Sequence, residues 1–468
     1  MSAALAGAPG ASLSHATALI AGAVERAAAR RSGPWSGISP DELRAQITAL
    51  HPCPDEGRGL AATVSEIERL ILDHGVWPAD PACAAHLHCA PLVAAAATEL
   101  AIGATNQSMD SFDQAPAATF VEDHLVGWLA GLLGLPAEAS GVMTSGGTAS
   151  NLLGLLLARE HTASTVRDGL PAEAADWRIV TSESAHFSVR RSAMLLGLGE
   201  RAVVAVDADA SGAMDIPALR ATLDELRVTG LRAIAIVATA GTTDHGAIDP
   251  LAEVAELAAS AGAWLHVDAA VGGALALSHE LRSRITGIER ADSVTVDLHK
   301  LWWQPIGASA LLVRDAAALG AIRHHSDYLN REEDEELGVV NLATRSLDTS
   351  RRFDALKVLV ALRATGRREL ASMVERCVAL ADAAAAEIEA HPRLELVTAP
   401  STITVLFRHV AGGEDEIQRT LLASGEAVIG RTRIEGRSTL KLTLMNPAVE
   451  ERQLHALLDT IADAGGPA

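Results

Sequence analysis

The stretch Ala291–Val313 reads ADSVTVDLHKLWWQPIGASALLV, a strand, a turn and a second strand in direct succession. Ser293, Val294, Thr295 and Val296 form the first apolar alternating run, which the period of two assigns to a strand. Pro305 and Gly307 close the turn, and Ala308 to Val313 make the second run. Between them lies Asp297-Leu298-His299-Lys300. At the rim of two buried strands, beside Trp302 and Trp303, the Lys300 amine can be partly desolvated and act as a nucleophile toward an aldehyde. A solvated lysine at a strand end is the plainer alternative for these residues alone.

Upstream, strand-like and helix-like segments alternate. Strands are expected at Arg178 to Thr181, Ala202 to Val206, Leu231 to Ala238 and Trp264 to Val267, and helices at about Ala185 to Leu196, Ile216 to Leu226 and Pro250 to Ala261. That alternation predicts an α/β fold with a large, mainly parallel sheet covered by helices. Ligands of such sheets collect at the carboxyl ends of strands. Those ends carry Ser184-Ala185-His186, Thr239 to Thr243, His266 to Ala270 and Asp297 to Lys300. Before them, a helix over Ala117 to Leu133 leads to Gly141 to Asn151, GVMTSGGTASN, and a Leu-rich helix to about Arg159. Small residues at a helix start leave backbone N–H groups open to an anion. The pattern is neither GxGxxG nor a P-loop, so a single phosphate suits it better than a nucleotide; a helix capped by Ser and Thr is the alternative.

The flanks read differently. Helices at about Ala16 to Arg30, Asp41 to Leu50 and Thr63 to His74 suggest an N-terminal arm over 1–90. A large domain over 91–350 follows. Residues 351–468 form a smaller α+β domain, with helices at Phe353 to Ala364, Arg367 to Ala390, Glu414 to Ser424 and Glu450 to Ala462, and strands at Leu394 to Thr398, Ile403 to His409 and Ala427 to Leu444. His86 and His88 in HLHC would share one face of a strand. Without a third ligand close by, a pocket-lining or structural role is preferred to a metal site, and no metal is expected.

A net charge of -21 over 468 residues disfavours nucleic acid and favours solubility or a cationic substrate. Four cysteines without CxxC pairing read as reduced thiols, and neither a signal-type n-region nor a membrane-spanning apolar run is found. A cytoplasmic, reducing location is expected.

The motifs TSGGTASN, SAHFSV, ATAGTT, HVDAA and DLHK, in this order, closely resemble the pyridoxal-phosphate-dependent group II amino acid decarboxylases. Within that family QSMDSFDQAPAATFVEDHL and DYLNREEDEE…SLDTSRRFDALK look most like bacterial L-lysine and L-2,4-diaminobutyrate decarboxylases of siderophore or polyamine synthesis. The resemblance implies an aspartate-aminotransferase-like fold, pyridoxal 5'-phosphate as cofactor, and decarboxylation of a diamino acid to the diamine. An aromatic substrate, or a carbon–carbon lyase of the same fold, is the alternative.

It further implies roles for single residues. Lys300 would hold the cofactor as a Schiff base, Asp268 would pair with the pyridine nitrogen, and His186 would stack on the ring. Thr148, Ala149 and Ser150, assisted by His299, would hold the phosphate, Thr243 would contact the ring or Asp268, and Ala270 would also bind the cofactor. Tyr328, the only tyrosine, would reprotonate the α-carbon from a loop that crosses to the partner of a homodimer. Arg351, adjacent to Arg352, and His88 are the substrate-binding candidates, and the acidic run Arg331 to Glu336 could attract a distal ammonium. One departure stands out: Asp297 replaces the asparagine of several relatives and adds an anion near the phosphate.

Overall fold

Three helices open the chain: α1 (Leu13–Ala29), α2 (Pro40–Thr48) and α3 (Leu60–Ile67), followed by the short strand β1 (Cys83–Ala84). The Ser12 and Ser39 hydroxyls accept N–H groups of the first turns of α1 and α2, and Pro40 starts α2 where a missing donor costs nothing. The computed structural model describes residues 5–6, 12–324, 326 and 338–466.

The chain divides into two units. The larger comprises Pro91–Ala379 and Thr398–Thr404, and the smaller Met1–Ala90, Leu380–Val397 and Val405–Ala468. This differs from the expected parts 1–90, 91–350 and 351–468.

In the larger unit, α4 (Val93–Thr105), α5 (Pro116–Leu132), β2 (Ser140–Thr144) and α6 (Gly147–Thr162) precede β3 (Trp177–Ser182), β4 (Val203–Val206), β5 (Arg232–Thr239), β6 (Trp264–Asp268), β7 (Ser293–Asp297) and β8 (Ser309–Val313). The seven strands are ordered β2-β8-β7-β6-β5-β3-β4. Neighbours from β7 to β4 are parallel, whereas β8 is antiparallel to both β7 and β2. The carboxyl ends of all strands except β8 therefore share one edge. Every residue of β6, β7 and β8 is buried, as a sheet covered on both faces requires. Val142, Leu153, Leu157, Ile179, Val237 and Leu311 belong to one core beneath α6, each contributing roughly 1.5–3 kcal/mol by leaving water.

The smaller unit holds β9 (Leu394–Thr398), β10 (Thr404–His409), β11 (Val428–Ile434) and β12 (Arg437–Thr443), in a five-stranded sheet ordered β1-β11-β12-β10-β9. The N-terminal segment joins this unit because β1 adds in parallel to the edge of β11. Its core gathers Leu380, Ile388, Phe407, Leu421, Leu442 and Leu458. The run Ala427 to Leu444, expected as one strand, is a hairpin: Glu435 and Gly436 both have positive φ (52° and 74°), the turn that antiparallel twist favours. HLHC is not a strand either, since β1 stops at Ala84 and His86 has φ 61°.

Candidate active site

β7 ends at Asp297 and β8 begins opposite it at Ser309, so the turn carrying Lys300 opens at the shared carboxyl edge. The Lys300 Nζ lies 2.9 Å from Asp297 Oδ2. Asp297 is buried, its Oδ1 accepts the Ser309 hydroxyl at 2.6 Å, and His299 Nε2 stands 3.9 Å from Oδ2. The extra anion is thus countered by an ammonium and a hydroxyl.

Asp268 closes β6 on the same edge and is buried. Its Oδ2 accepts Asn151 Nδ2–H at 2.8 Å and its Oδ1 the Ala270 N–H at 3.1 Å, which fixes the plane of the carboxylate. His186 lies in the turn after β3, with Nδ1 2.8 Å from Ser188 Oγ. Burial holds His186 below the ordinary imidazole value and the Lys300 charge adds to this, while Asp268 opposes it.

These residues meet around a cavity of about 390 Å³. Thr148, Ala149, His186, Thr243, Asp268, Ala270, His299 and Lys300 all line it, as does Asn151, to which sequence reasoning gave no role. At one end α6 starts at Gly147 without a side-chain cap, leaving N–H groups available to an anion. Ser150 is placed otherwise than expected. It is fully buried, and its hydroxyl bonds those of Thr144 (2.7 Å) and Ser309 (3.1 Å) behind the cradle.

Arg351 also corrects an expectation. Its Nη1 and Nη2 donate to Glu122 Oε2 and Oε1 at 3.1 and 2.8 Å, Nη1 donates also to the Met143 carbonyl, and the pair is buried. It does not line the cavity. The guanidinium is thus engaged with Glu122 and the Met143 carbonyl, away from the cavity lining. Its partner Glu122, buried on α5 and also accepting the Met143 N–H at 3.1 Å, gave no separate signal inside an ordinary helical pattern. Arg352 pairs with Glu99. His88 belongs to the smaller unit. Tyr328 and the acidic run Arg331 to Glu336 lie outside the described residues.

The family profile described as "Pyridoxal-dependent decarboxylase conserved domain" matches residues 40–410. The chain belongs to this family. It is 44% identical over 443 residues to an L-2,4-diaminobutyrate decarboxylase of Rhizobium meliloti (strain 1021), covering 93% of this chain and 88% of the relative. A second L-2,4-diaminobutyrate decarboxylase, from Acinetobacter baumannii, is 39% identical over 446 residues, covering 91% and 87%. Among solved structures, the glutamate decarboxylase domain of diaminobutyrate-pyruvate transaminase and L-2,4-diaminobutyrate decarboxylase from Vibrio parahaemolyticus superposes with a TM-score of 0.88 at 36% identity, covering 97% of this chain and 95% of that one.

Pyridoxal phosphate is the cofactor of this decarboxylase family, and the cavity suits it. It offers an amine for the aldehyde, a fixed buried carboxylate for a pyridine nitrogen and an open helix start for the phosphate. A Cβ on Gly147 would stand 2.9 Å from Asp297 Oδ2, so bare backbone forms this side of the cradle. The buried Thr239 Oγ1 on the cavity wall has no hydrogen-bond partner among the described residues.

Proposed function

We propose that this decarboxylase removes the α-carboxylate of L-2,4-diaminobutyrate, giving the corresponding diamine. The observation that carries this reading is the convergence of Lys300, Asp268 and His186 on one cavity in a chain 44% identical to an L-2,4-diaminobutyrate decarboxylase. Lys300 would bond the cofactor aldehyde, and Asp268, ionised, would keep the pyridine nitrogen protonated. His186, neutral, would cover the ring. The Gly146 to Ala149 backbone with the Thr148 hydroxyl would hold the phosphate. Bound there, pyridoxal phosphate supplies the electron sink that accepts the pair left when carbon dioxide departs.

Tyr328 would return the proton to the α-carbon from a loop of the partner subunit in a homodimer. The acidic run that follows it would favour a substrate with a distal ammonium. Arg351 stays with Glu122, so it adds no free cation that would over-stabilise the substrate carboxylate before it leaves. The test is carbon dioxide release from a panel of L-amino acids by the full chain with added pyridoxal phosphate, beside Lys300→Ala. Turnover of 2,4-diaminobutyrate above lysine, ornithine and aromatic amino acids, absent in the variant, is expected. Release from aromatic amino acids alone would overturn the substrate assignment.

A further inference from the structure

Behind Asp268 the polar groups form one chain whose protons can be assigned. Trp264 Nε1–H, a donor only, reaches Ser293 Oγ at 2.8 Å. The Ser293 hydroxyl proton is then free for His266 Nδ1, 2.8 Å away. His266 therefore carries its own proton on Nε2, which meets Asn151 Oδ1 at 3.0 Å, and Thr295 Oγ1–H donates to the same oxygen at 2.7 Å. With its oxygen taken, the amide turns its two N–H bonds to Asp268 Oδ2 (2.8 Å) and Ser188 Oγ (2.9 Å). Ser188 in turn gives its proton to His186 Nδ1 at 2.8 Å. A flipped amide would set its oxygen against Asp268 Oδ2, acceptor against acceptor.

We infer that Asn151 is a positioning residue that aims Asp268 and selects the Nε2-protonated tautomer of His186 together, with His266 fixing its own orientation. The inference rests on the proposed roles of Asp268 and His186. Asn151 is 1% exposed, and Ser188, His266, Ser293 and Thr295 are each 0% exposed, so water does not compete for these bonds. A second observation shows that the fold makes room for the arrangement. Gly154, one turn along α6 from Asn151, sits where a Cβ would lie 2.6 Å from His266 Nδ1. Glycine inside a helix costs roughly 0.5–1 kcal/mol relative to alanine, and here the space is the imidazole's.

The test compares Asn151→Ala, Asn151→Asp and Ser188→Ala with the wild-type full chain. The readouts are Kd for pyridoxal phosphate from its visible band, kcat and KM for 2,4-diaminobutyrate over roughly pH 5.5–8.5, and Tm. Asn151→Asp keeps the shape but loses the donors. Its new carboxyl must share a proton with Asp268, so its kcat relative to wild type is expected to fall about tenfold or more toward the alkaline end. Asn151→Ala is expected to weaken cofactor binding about tenfold. Ser188→Ala, which cuts only the His186 branch, is expected to lower kcat with cofactor Kd within about twofold. Cofactor affinity within twofold of wild type in Asn151→Ala, or a loss in Asn151→Asp that is the same at every pH and follows Tm alone, would overturn the inference. Cofactor affinity reads Asn151 without turnover, so wild-type protein that binds cofactor but releases no carbon dioxide would remove the decarboxylase reading separately.

Discussion

Asp297 and Lys300 form a 2.9 Å ion pair in the cavity wall, and Asp297→Asn tests what that pair does. Without the carboxylate the amine loses its ion-pair partner and the phosphate meets one anion fewer. Kd for pyridoxal phosphate at neutral pH should therefore fall about three- to tenfold, read by absorbance titration. His266, pushed down to about 4 by burial, carries a pH dependence with a definite sign. Between pH 4 and its ordinary value of 6.5 the unfolded chain binds a proton that the native one refuses, so stability is lost as pH falls through that window. His266→Gln, which keeps a donor for Asn151, should flatten this slope in urea titrations by roughly 3 kcal/mol. Asp249, held up at about 6 by burial although it accepts the Met214 and Thr239 N–H groups, acts in the other direction and loses stability as pH rises toward 6. The shared edge of Lys300, Asp268 and His186 was legible because each stands at or just beyond the end of a strand, whereas their roles came from the family resemblance. Asn151 was not, since its carboxylate partner lies 117 residues away and an amide in a Leu-rich helix carries no local sign of what it faces.

The segment SRRFDALK shows how an element can be read correctly and its residues not. Periodicity locates the helix that the structure places at Ala355–Thr365. Its chemistry is structural. Arg351 binds Glu122 of α5, Arg352 binds Glu99 of α4, and the wholly buried Lys357 binds both Glu99 and Asp354, at 2.8 and 2.9 Å. Removing one member of a buried pair leaves an uncompensated charge. Arg351→Met should cost about 3–5 kcal/mol in urea denaturation, whereas KM of the folded enzyme should stay within about twofold. A KM raised tenfold or more with stability intact would return Arg351 to the substrate. No spacing rule could have given this, because Glu122 is 229 residues from Arg351.

For the whole molecule, the α/β sheet and the edge on which its ligands collect were readable from alternation alone. The allocation of the N-terminal arm was not, because it depends on β1 pairing with β11 rather than on anything within residues 1–90. Among the described residues no helix is long and apolar enough to cross a membrane. The proposed homodimer yields a mixing experiment. If Tyr328 serves the partner's site, combining inactive Lys300→Ala with inactive Tyr328→Phe protomers should restore roughly a quarter of wild-type turnover, one intact site in each mixed dimer. No recovery on mixing would place Tyr328 in its own subunit's site. The smaller unit also sets a timetable for synthesis. It is built from both ends of the chain, Met1–Ala90 and Val405–Ala468, so at about 5–20 residues per second its first helices leave the ribosome roughly 20–80 s before their β-sheet partners. The larger unit, nearly contiguous in sequence, can condense during that interval, while Ala84 of β1, 2% exposed in the finished core, waits uncovered and open to any chaperone that binds apolar surface.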